Sequence, residues 1–428
     1  MTTASSPPPM APSNSSKRNI PRKPKPEDFE PPVAWLFGRQ LIANLKWILL
    51  YTAFKGKLDA RDWMKPEVIP KVDSSTEVDR FWRTWNENWK ESEDGDPGSE
   101  KEFWFDYISD TGDGQKAVYS VAYLCLSDFA IAKNPQLGDE AEFILQPDPT
   151  LLKSEGKMLL PRGTFLFVGG DTSYHIADYG TLAIRFQNPF WWAYDDLSIA
   201  KARSVGHEVE RLLLGIPGNH DYYDSLDGFN RQFRLPSTGD KVVEGKRPPY
   251  LRIPTFSREQ ESSYVALRLP FDWWFWGMDT EQGEIDYRQG QFFKDIQARH
   301  APRRIILATP EPTTVFGKFA KPEENQSKTF KELGLERPFL KKPEAMGEGK
   351  CRVDLAGDVH HYARYWGPAP ATGEFDNYTS VMAGGGGAFF HPSHTNVREV
   401  PHRVLYPKAE VSRKEVAKQI FKFRNILN

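Results

Sequence analysis

The sequence predicts an α/β fold of the layered αββα kind, preceded by a helical N-terminal extension. From Phe103 onward, short runs rich in apolar and β-branched residues alternate with helical or irregular segments, as buried strands and their crossovers do. Each of six such runs leads into a polar residue able to hold a cation. FWFDYIS ends at Asp110, TFLFVGG at Asp171, LLLGIPG at Asn219, WWFWGM at Asp279, RIILATP at Glu311, and CRVDLAG at Asp358 with His360 beyond it.

Composition bounds the classes. Hydrophobic residues make up 39% of 428, with 28 Phe, 16 Tyr and 13 Trp, enough for a sizeable core, while 34 Pro and 32 Gly imply long connections. Lys plus Arg (56) nearly balance Asp plus Glu (58), so a net charge of −2 gives no electrostatic case for a nucleic-acid partner. The two cysteines, Cys125 and Cys351, lie in apolar stretches; this excludes a disulfide framework or Cys-rich zinc site and fits a reducing, cytoplasmic location.

In chain order, residues 1–32 are rich in Pro, Ser and Lys, lack the apolar core of a signal peptide, and read as a disordered tail. Residues 33–100 read as a helical extension. Within it, Ala34 to Phe54 is interrupted by Arg39 and Lys46, so an amphipathic helix is expected rather than a membrane span. Packing on the body is the expected role of that helix; binding at a membrane surface is the alternative. Residues 101–410 form the main domain, with 314–350 as a polar insertion or lid, and 411–428 as a C-terminal helix.

The strand ends carry the chemistry. One carboxylate at a strand end caps a helix as readily as it binds a ligand. Several at the C-terminal edge of one sheet system are different, because side chains from separate strands converge there on a rigid base. Clustered carboxylates repel and raise one another's pKa unless a cation neutralises them, so the cluster itself argues for bound metal.

Three motifs lie at these ends. Asp110-Thr111-Gly112-Asp113-Gly114 permits a tight turn into a helix whose first amides face an anion, or is an ordinary glycine turn with capping aspartates. In Gly169-Gly170-Asp171-Thr172-Ser173-Tyr174, the aspartate can bridge two cations about 3.5–4 Å apart, and Tyr174 either folds back as a ligand or packs its ring. Gly218-Asn219-His220-Asp221 supplies an amide oxygen for a hard metal and, next to it, an imidazole able to bind phosphate or protonate a leaving oxygen. The glycines of Ala383 to Ala388 read as a turn beside the site, lacking the Lys and Ser/Thr of a P-loop, with His391 and His394 beyond as solvent-facing loop residues. Trp191, Trp192 and Tyr194 read as local core.

The order D-x-G, G-G-D-x-x-Y, G-N-H-D and G-x-x-H resembles the calcineurin-like metallophosphoesterase superfamily over about Phe103 to Pro407. That resemblance implies a four-layer αββα sandwich, a dinuclear centre and hydrolysis of a small phosphate ester. The superfamily's usual D-x-H is D-x-G here. Purple acid phosphatases share that departure and place a tyrosine as Tyr174 is placed, and GDVHHYAR is similar to their last motif. The resemblance therefore implies a first metal held by Asp110, Asp171, Tyr174 and His360, a set suited to Fe(III). At the second metal the usual two imidazoles are replaced: Asp358 stands for one, and Pro310-Glu311 for the other. With Asp171 and Asn219, carboxylates at Glu311 and Asp358 suit Mn2+, Fe2+ or Mg2+. His220 is expected to act on the leaving group, with Asp221 and Asp113 orienting it or capping helices. The competing readings are a catalytically inactive phospho-ligand or protein-binding module on the same scaffold, and a peripheral membrane protein; the oligomeric state stays open.

Overall fold

The computed structural model describes residues 21–34, 39–54, 59–64, 103–132, 142–144, 157–201, 211–234, 250–269, 273–312, 314–315, 318–319, 324–335, 350–366 and 379–388. Two larger sheets organise them into a mixed α/β structure. The first has the order Asp106–Ile108, Phe165–Val168, Arg211–Gly215, Phe256–Ser257, parallel throughout. The second has the order Tyr362–Trp366, Thr379–Ala383, Cys351–Ala356, Arg304–Ala308, Trp273–Gly277, Val265–Arg268. Its four inner strands are parallel and both edge strands antiparallel.

Alternation along the strands divides the core. Phe165, Phe167, Leu212 and Leu214 of the first sheet share one cluster with Phe275, Ile306 and Leu355 of the second. The Phe167 and Phe275 rings there lie 4.6 Å apart. The intervening Leu166, Val168 and Leu213 point the other way and pack with Val118 and Ala122 of helix Gln115–Cys125 and with Ala193 and Leu197 of helix Asn188–Lys201. On the far side of the second sheet, Trp274, Trp276, Ile305 and Leu307 pack with Phe292, Phe293 and Ile296 of helix Tyr287–His300 and with Phe330. Strands buried on both faces, such as FLFV and RLLLG, are continuous apolar runs for this reason.

Parallel pairing also aligns the strand ends. Asp110 N–H donates to Gly170 O (3.1 Å), Thr111 N–H to Asp171 O (2.9 Å), and Gly357 N–H to Pro310 O (3.2 Å), so adjacent strand-end loops are locked together.

The N-terminal region departs from expectation. Residues 21–32, expected within a disordered tail, form a strap across the helices of the first sheet. Phe29 packs on Tyr119 and Trp192, Trp192 Nε1 donates to Pro21 O (2.7 Å), Lys23 pairs with Asp196, and Val33 is buried. Gln115 explains the fit: its amide oxygen accepts from Glu30 N–H (2.8 Å) while its backbone N–H donates to Glu30 O (3.2 Å). Of the three aromatic residues expected in a local core, Trp192 is buried and Tyr194 packs half-buried against the cluster, while Trp191 is half-buried and its Nε1 donates to Arg252 O (3.0 Å).

The expected helix in 34–54 spans Arg39–Phe54, followed by a 3-10 turn, Ala60–Trp63. Within 314–350, a short hairpin and helix Glu324–Glu332 are described. Phe330, Leu333 and Leu335 are buried against the second sheet's outer cluster, so this part of the insertion is fastened to the body. Residues 1–20, 65–102 and 389–428, including His391, His394 and the expected C-terminal helix, lie outside the described residues.

Candidate metal centre

Asp110 follows the strand Asp106–Ile108, Asp171 follows Phe165–Val168, and Asp358 and His360 follow Cys351–Ala356. All three aspartates have positive φ: 56° at Asp110, 48° at Asp171 and 68° at Asp358. A non-glycine residue in this left-handed region costs on the order of 1–3 kcal/mol, and such strain concentrates at functional sites.

The carboxylates of Asp110 and Asp171 and the imidazole of His360 offer ligand atoms within 4.8 Å of one another, and all three residues are buried. The Tyr174 hydroxyl sits among them, 3.2 Å from Asp110 Oδ1, 3.3 Å from Asp171 Oδ2 and 3.0 Å from His360 Nε2. Backbone and hydroxyl donors fix the acids. Asp110 Oδ1 accepts from Asp358 N–H (3.0 Å), Oδ2 accepts from the Ser109 hydroxyl (2.9 Å), and Asp171 Oδ1 accepts from His220 N–H (3.0 Å). Glycines make room. A Cβ on Gly218 would lie 2.3 Å from Asp171 Oδ1, and one on Gly357 2.6 Å from Asp110 Oδ2.

This centre is short of positive charge. Among the described residues, no Lys or Arg forms an ion pair with Asp110 or Asp171. Burial, then the neighbouring charge of Asp358, pushes the Asp110 carboxyl up to about 7 against the donation from Ser109. Burial and the charge of Asp110 raise Asp171 well above the carboxylate range, and the same two causes raise Tyr174. Two buried acids, a phenol and an imidazole, with no Lys or Arg paired to either acid among the described residues, are a donor set a metal ion fits, since a cation reverses the cost of ionising each group.

Beside this point opens a small cleft lined by Gly169, Gly170, Asp171, Gly218, Asn219, Glu281, Pro310, Glu311 and Asp358. Four residues read from the sequence as second-metal ligands therefore meet in one place, with Glu311 and Asp358 exposed at the rim. Asn219 Nδ2 donates to the Tyr223 hydroxyl (3.0 Å), which leaves its amide oxygen as the end able to bind a cation.

Glu281 is the lining residue that sequence reasoning missed. The run WWFWGM pointed to Asp279, but that carboxylate is buried and accepts from the Tyr222 hydroxyl (2.6 Å). The available signal was the second acid two positions on, in MDTE. Glu281 lines the cleft, and its Oε1 lies 3.4 Å from the Tyr51 hydroxyl of the N-terminal helix.

The remaining candidates have other work. Asp113 is not among the cleft-lining residues. Its carboxylate accepts from Val33 N–H (2.6 Å) and its carbonyl from Arg185, so it fastens the N-terminal strap. Asp221 accepts from Gly218 N–H (2.9 Å), capping the short helix Asn219–Tyr222 as the capping alternative expects, and from Thr172 N–H (3.3 Å), which holds two strand-end loops together. His220 packs edge-on against Tyr174 (4.5 Å) and Tyr223 (5.0 Å), and its Nδ1 bonds the carbonyl of His175. That bond requires the proton on Nδ1. Burial lowers the imidazole to about 4, so at neutral pH Nε2 carries no proton to give.

No protein-family model and no curated protein matches the chain. Among solved structures it is similar to the purple acid phosphatase PPD1 from yellow lupin (Lupinus luteus) seeds, at 14% identity and a TM-score of 0.33, over 70% of this chain and 48% of that one. It is also similar to PhoD, at 12% identity and a TM-score of 0.27, over 67% of this chain and 57% of that one. The chain spans about half the length of these structures.

Proposed function

We propose that the chain is a metal-dependent phosphoesterase built as a four-layer αββα sandwich. One observation carries this reading: Asp110, Asp171, Tyr174 and His360 converge on a buried, cation-deficient point that adjoins an acid- and amide-lined cleft. Asp110, Tyr174 and His360, with Asp171, would hold the first metal, and this hard-donor set favours Fe(III). Asp171, Asn219 and Asp358, joined by Glu281 and Glu311, would hold a second, for which Mn2+, Fe2+ or Mg2+ is suited by the carboxylates. When bound, such a pair supplies an acidified water and neutralises phosphoryl charge.

The chain's own residues do the rest. Asp171 presents its two oxygens to different partners, Oδ1 to His220 N–H and Oδ2 toward Tyr174, and it also lines the cleft, so it would be the residue shared by the two metals. Asp358 N–H and Ser109 orient Asp110. His220, with its proton committed at Nδ1, positions Tyr174 and Asp171 rather than donating to a leaving group. Asp221 keeps the Gly218 and Thr172 loops in register. The substrate class this reading implies is a small phosphate ester.

The test is reconstitution. The purified chain loaded with Fe3+ and Mn2+ is expected to retain two metals and to hydrolyse p-nitrophenyl phosphate or its bis ester. Asp171→Asn is expected to cost more than the about 10–100-fold typical of losing an outer-shell partner. A chain that stays metal-free and inert across Mn2+, Fe2+ and Mg2+ overturns the proposal in favour of a binding module.

A further inference from the structure

Helix Arg39–Phe54 is apolar around most of its circumference and yet lies at the surface, so the one-sided amphipathic pattern expected of it is not what forms. Its half-buried positions, Leu41, Asn44, Ile48 and Tyr51, recur at the spacing of one helical face. The rest of the circumference carries Ile42, Leu45, Trp47, Leu49, Leu50 and Phe54, between 45% and 66% exposed. The inner face is tied to the body at Tyr51, whose ring packs on Tyr222 (6.1 Å) and Tyr223 (5.2 Å). More large apolar side chains therefore face outward than inward. Six of them on 16 residues form a patch of the kind that marks an interaction surface.

The charge around this face selects its partner. Between Glu30 and Asp59 the sequence has no acidic residue, while Arg39, Lys46, Lys55 and Lys57 are cationic. Lys46 lies over the Trp47 ring at 4.9 Å, putting a cation and an interfacial aromatic together. A 16-residue helix is ~24 Å long, short of a hydrocarbon core, and no helix among the described residues is long and apolar enough to cross a membrane. Within residues 31–58 the apolar side chains are accompanied only by cations, and this matches the boundary between headgroups and acyl chains of an anionic leaflet. A second copy of the same face would bring like charges together. The C-terminal segment 411–428 is also a poor cover, since Arg413, Lys414, Lys418, Lys422 and Arg424 outweigh its lone acid, Glu415.

We infer that the outer face of helix Arg39–Phe54 docks on an anionic lipid surface, lying in its plane. Flotation of the full chain with vesicles of phosphatidylcholine and phosphatidylserine (70:30), against phosphatidylcholine alone, tests this without any need for turnover, so its result is independent of the phosphoesterase proposal. At least tenfold stronger partitioning to the anionic vesicles is expected, weakened by 0.5 M salt, with at least a tenfold loss in Leu49→Glu/Leu50→Glu whose melting temperature is unchanged. Equal, weak partitioning to both vesicles overturns the inference, as does undiminished binding by the double variant. Concentration-dependent dimerisation without vesicle binding assigns the face to a second copy, and destabilisation of the double variant without vesicle binding assigns it to another segment of the chain. Either outcome overturns it too.

Discussion

The Tyr51 hydroxyl lies 3.4 Å from Glu281 Oε1, so a helix from the N-terminal extension reaches the rim of the candidate metal cleft. Burial, then the charge of Glu281, raises the phenol further above its ordinary value, which keeps it a donor. Tyr51→Phe removes that donor and keeps the ring packing on Tyr222 and Tyr223. The expected result is about a tenfold change in the affinity for the second metal, read by Mn2+ titration, with the first metal retained. Unchanged Mn2+ affinity would separate the helix from the centre.

Asp113 offers a test in the opposite direction, because its carboxylate serves Val33 N–H rather than the cleft. Asp113→Ala strands a buried backbone donor, at a cost of about 1–3 kcal/mol. The melting temperature should fall by several degrees while kcat of folded protein stays within about twofold, since no catalytic contact is lost. A large loss of kcat with unchanged stability would return Asp113 to the catalytic group.

The contrast between these two residues shows how far the sequence could be read. Strand-end polar residues were legible because a buried parallel strand is a continuous apolar run, and the residue that breaks it must sit at the edge: Asp110, Asp171, Asn219 and Asp358 all follow such strands. Glu281 was not, because its loop runs on past Asp279, whose role is bonding Tyr222. Asp113 looked catalytic by its place in D-T-G-D-G, yet its partner, Val33, is 80 residues away in sequence. Nothing local in residues 21–32 reports Phe29 packing on Trp192 either. Long-range partners of a polar loop have no periodic signature.

Gly218 supplies a steric prediction. A Cβ there would meet Asp171 Oδ1 at 2.3 Å and Asp171 N at 2.7 Å, so the side chain or the loop has to shift. Gly218→Ala should displace the candidate bridging carboxylate. Loss of one metal per chain, measured by elemental analysis, is expected alongside a modest drop in stability. Full metal content would show that the two loops have more slack than the close contact allows.

Asp224 gives a pH dependence. It is largely buried, its Oδ2 accepts from Gly228 N–H (2.9 Å) and its Oδ1 has no hydrogen-bond partner among the described residues. Burial raises its pKa to about 8 against the Gly228 bond, helped by the charges of Asp227, Asp221 and Asp178. A raised acid binds its proton more tightly in the folded chain, so its contribution to stability is full below the unfolded pKa of about 4 and is lost as pH rises toward 8. Asp224→Asn keeps an acceptor for Gly228 and cannot ionise. Its melting temperature should exceed the parent's at pH 8 by a few degrees and converge with it near pH 4. A constant difference across that range would mean the effect is not protonation.

The sharpest test of the first metal is optical. Tyr174 places its hydroxyl 3.0–3.3 Å from His360 Nε2, Asp110 Oδ1 and Asp171 Oδ2, in a pocket where burial and those carboxylates hold its proton in place. A trivalent cation at that point reverses the balance, because phenolate oxygen is a hard donor and the two carboxylates then share the compensating charge. Iron-loaded protein should therefore show a visible charge-transfer absorption, and Tyr174→Phe should lose it while the ring's edge contact with His220, at 4.5 Å, is preserved. Iron retained in a colourless parent would remove Tyr174 from the ligand set. Colour retained in the variant would do the same, and the hydroxyl would then act as a hydrogen-bond donor orienting Asp110 and Asp171.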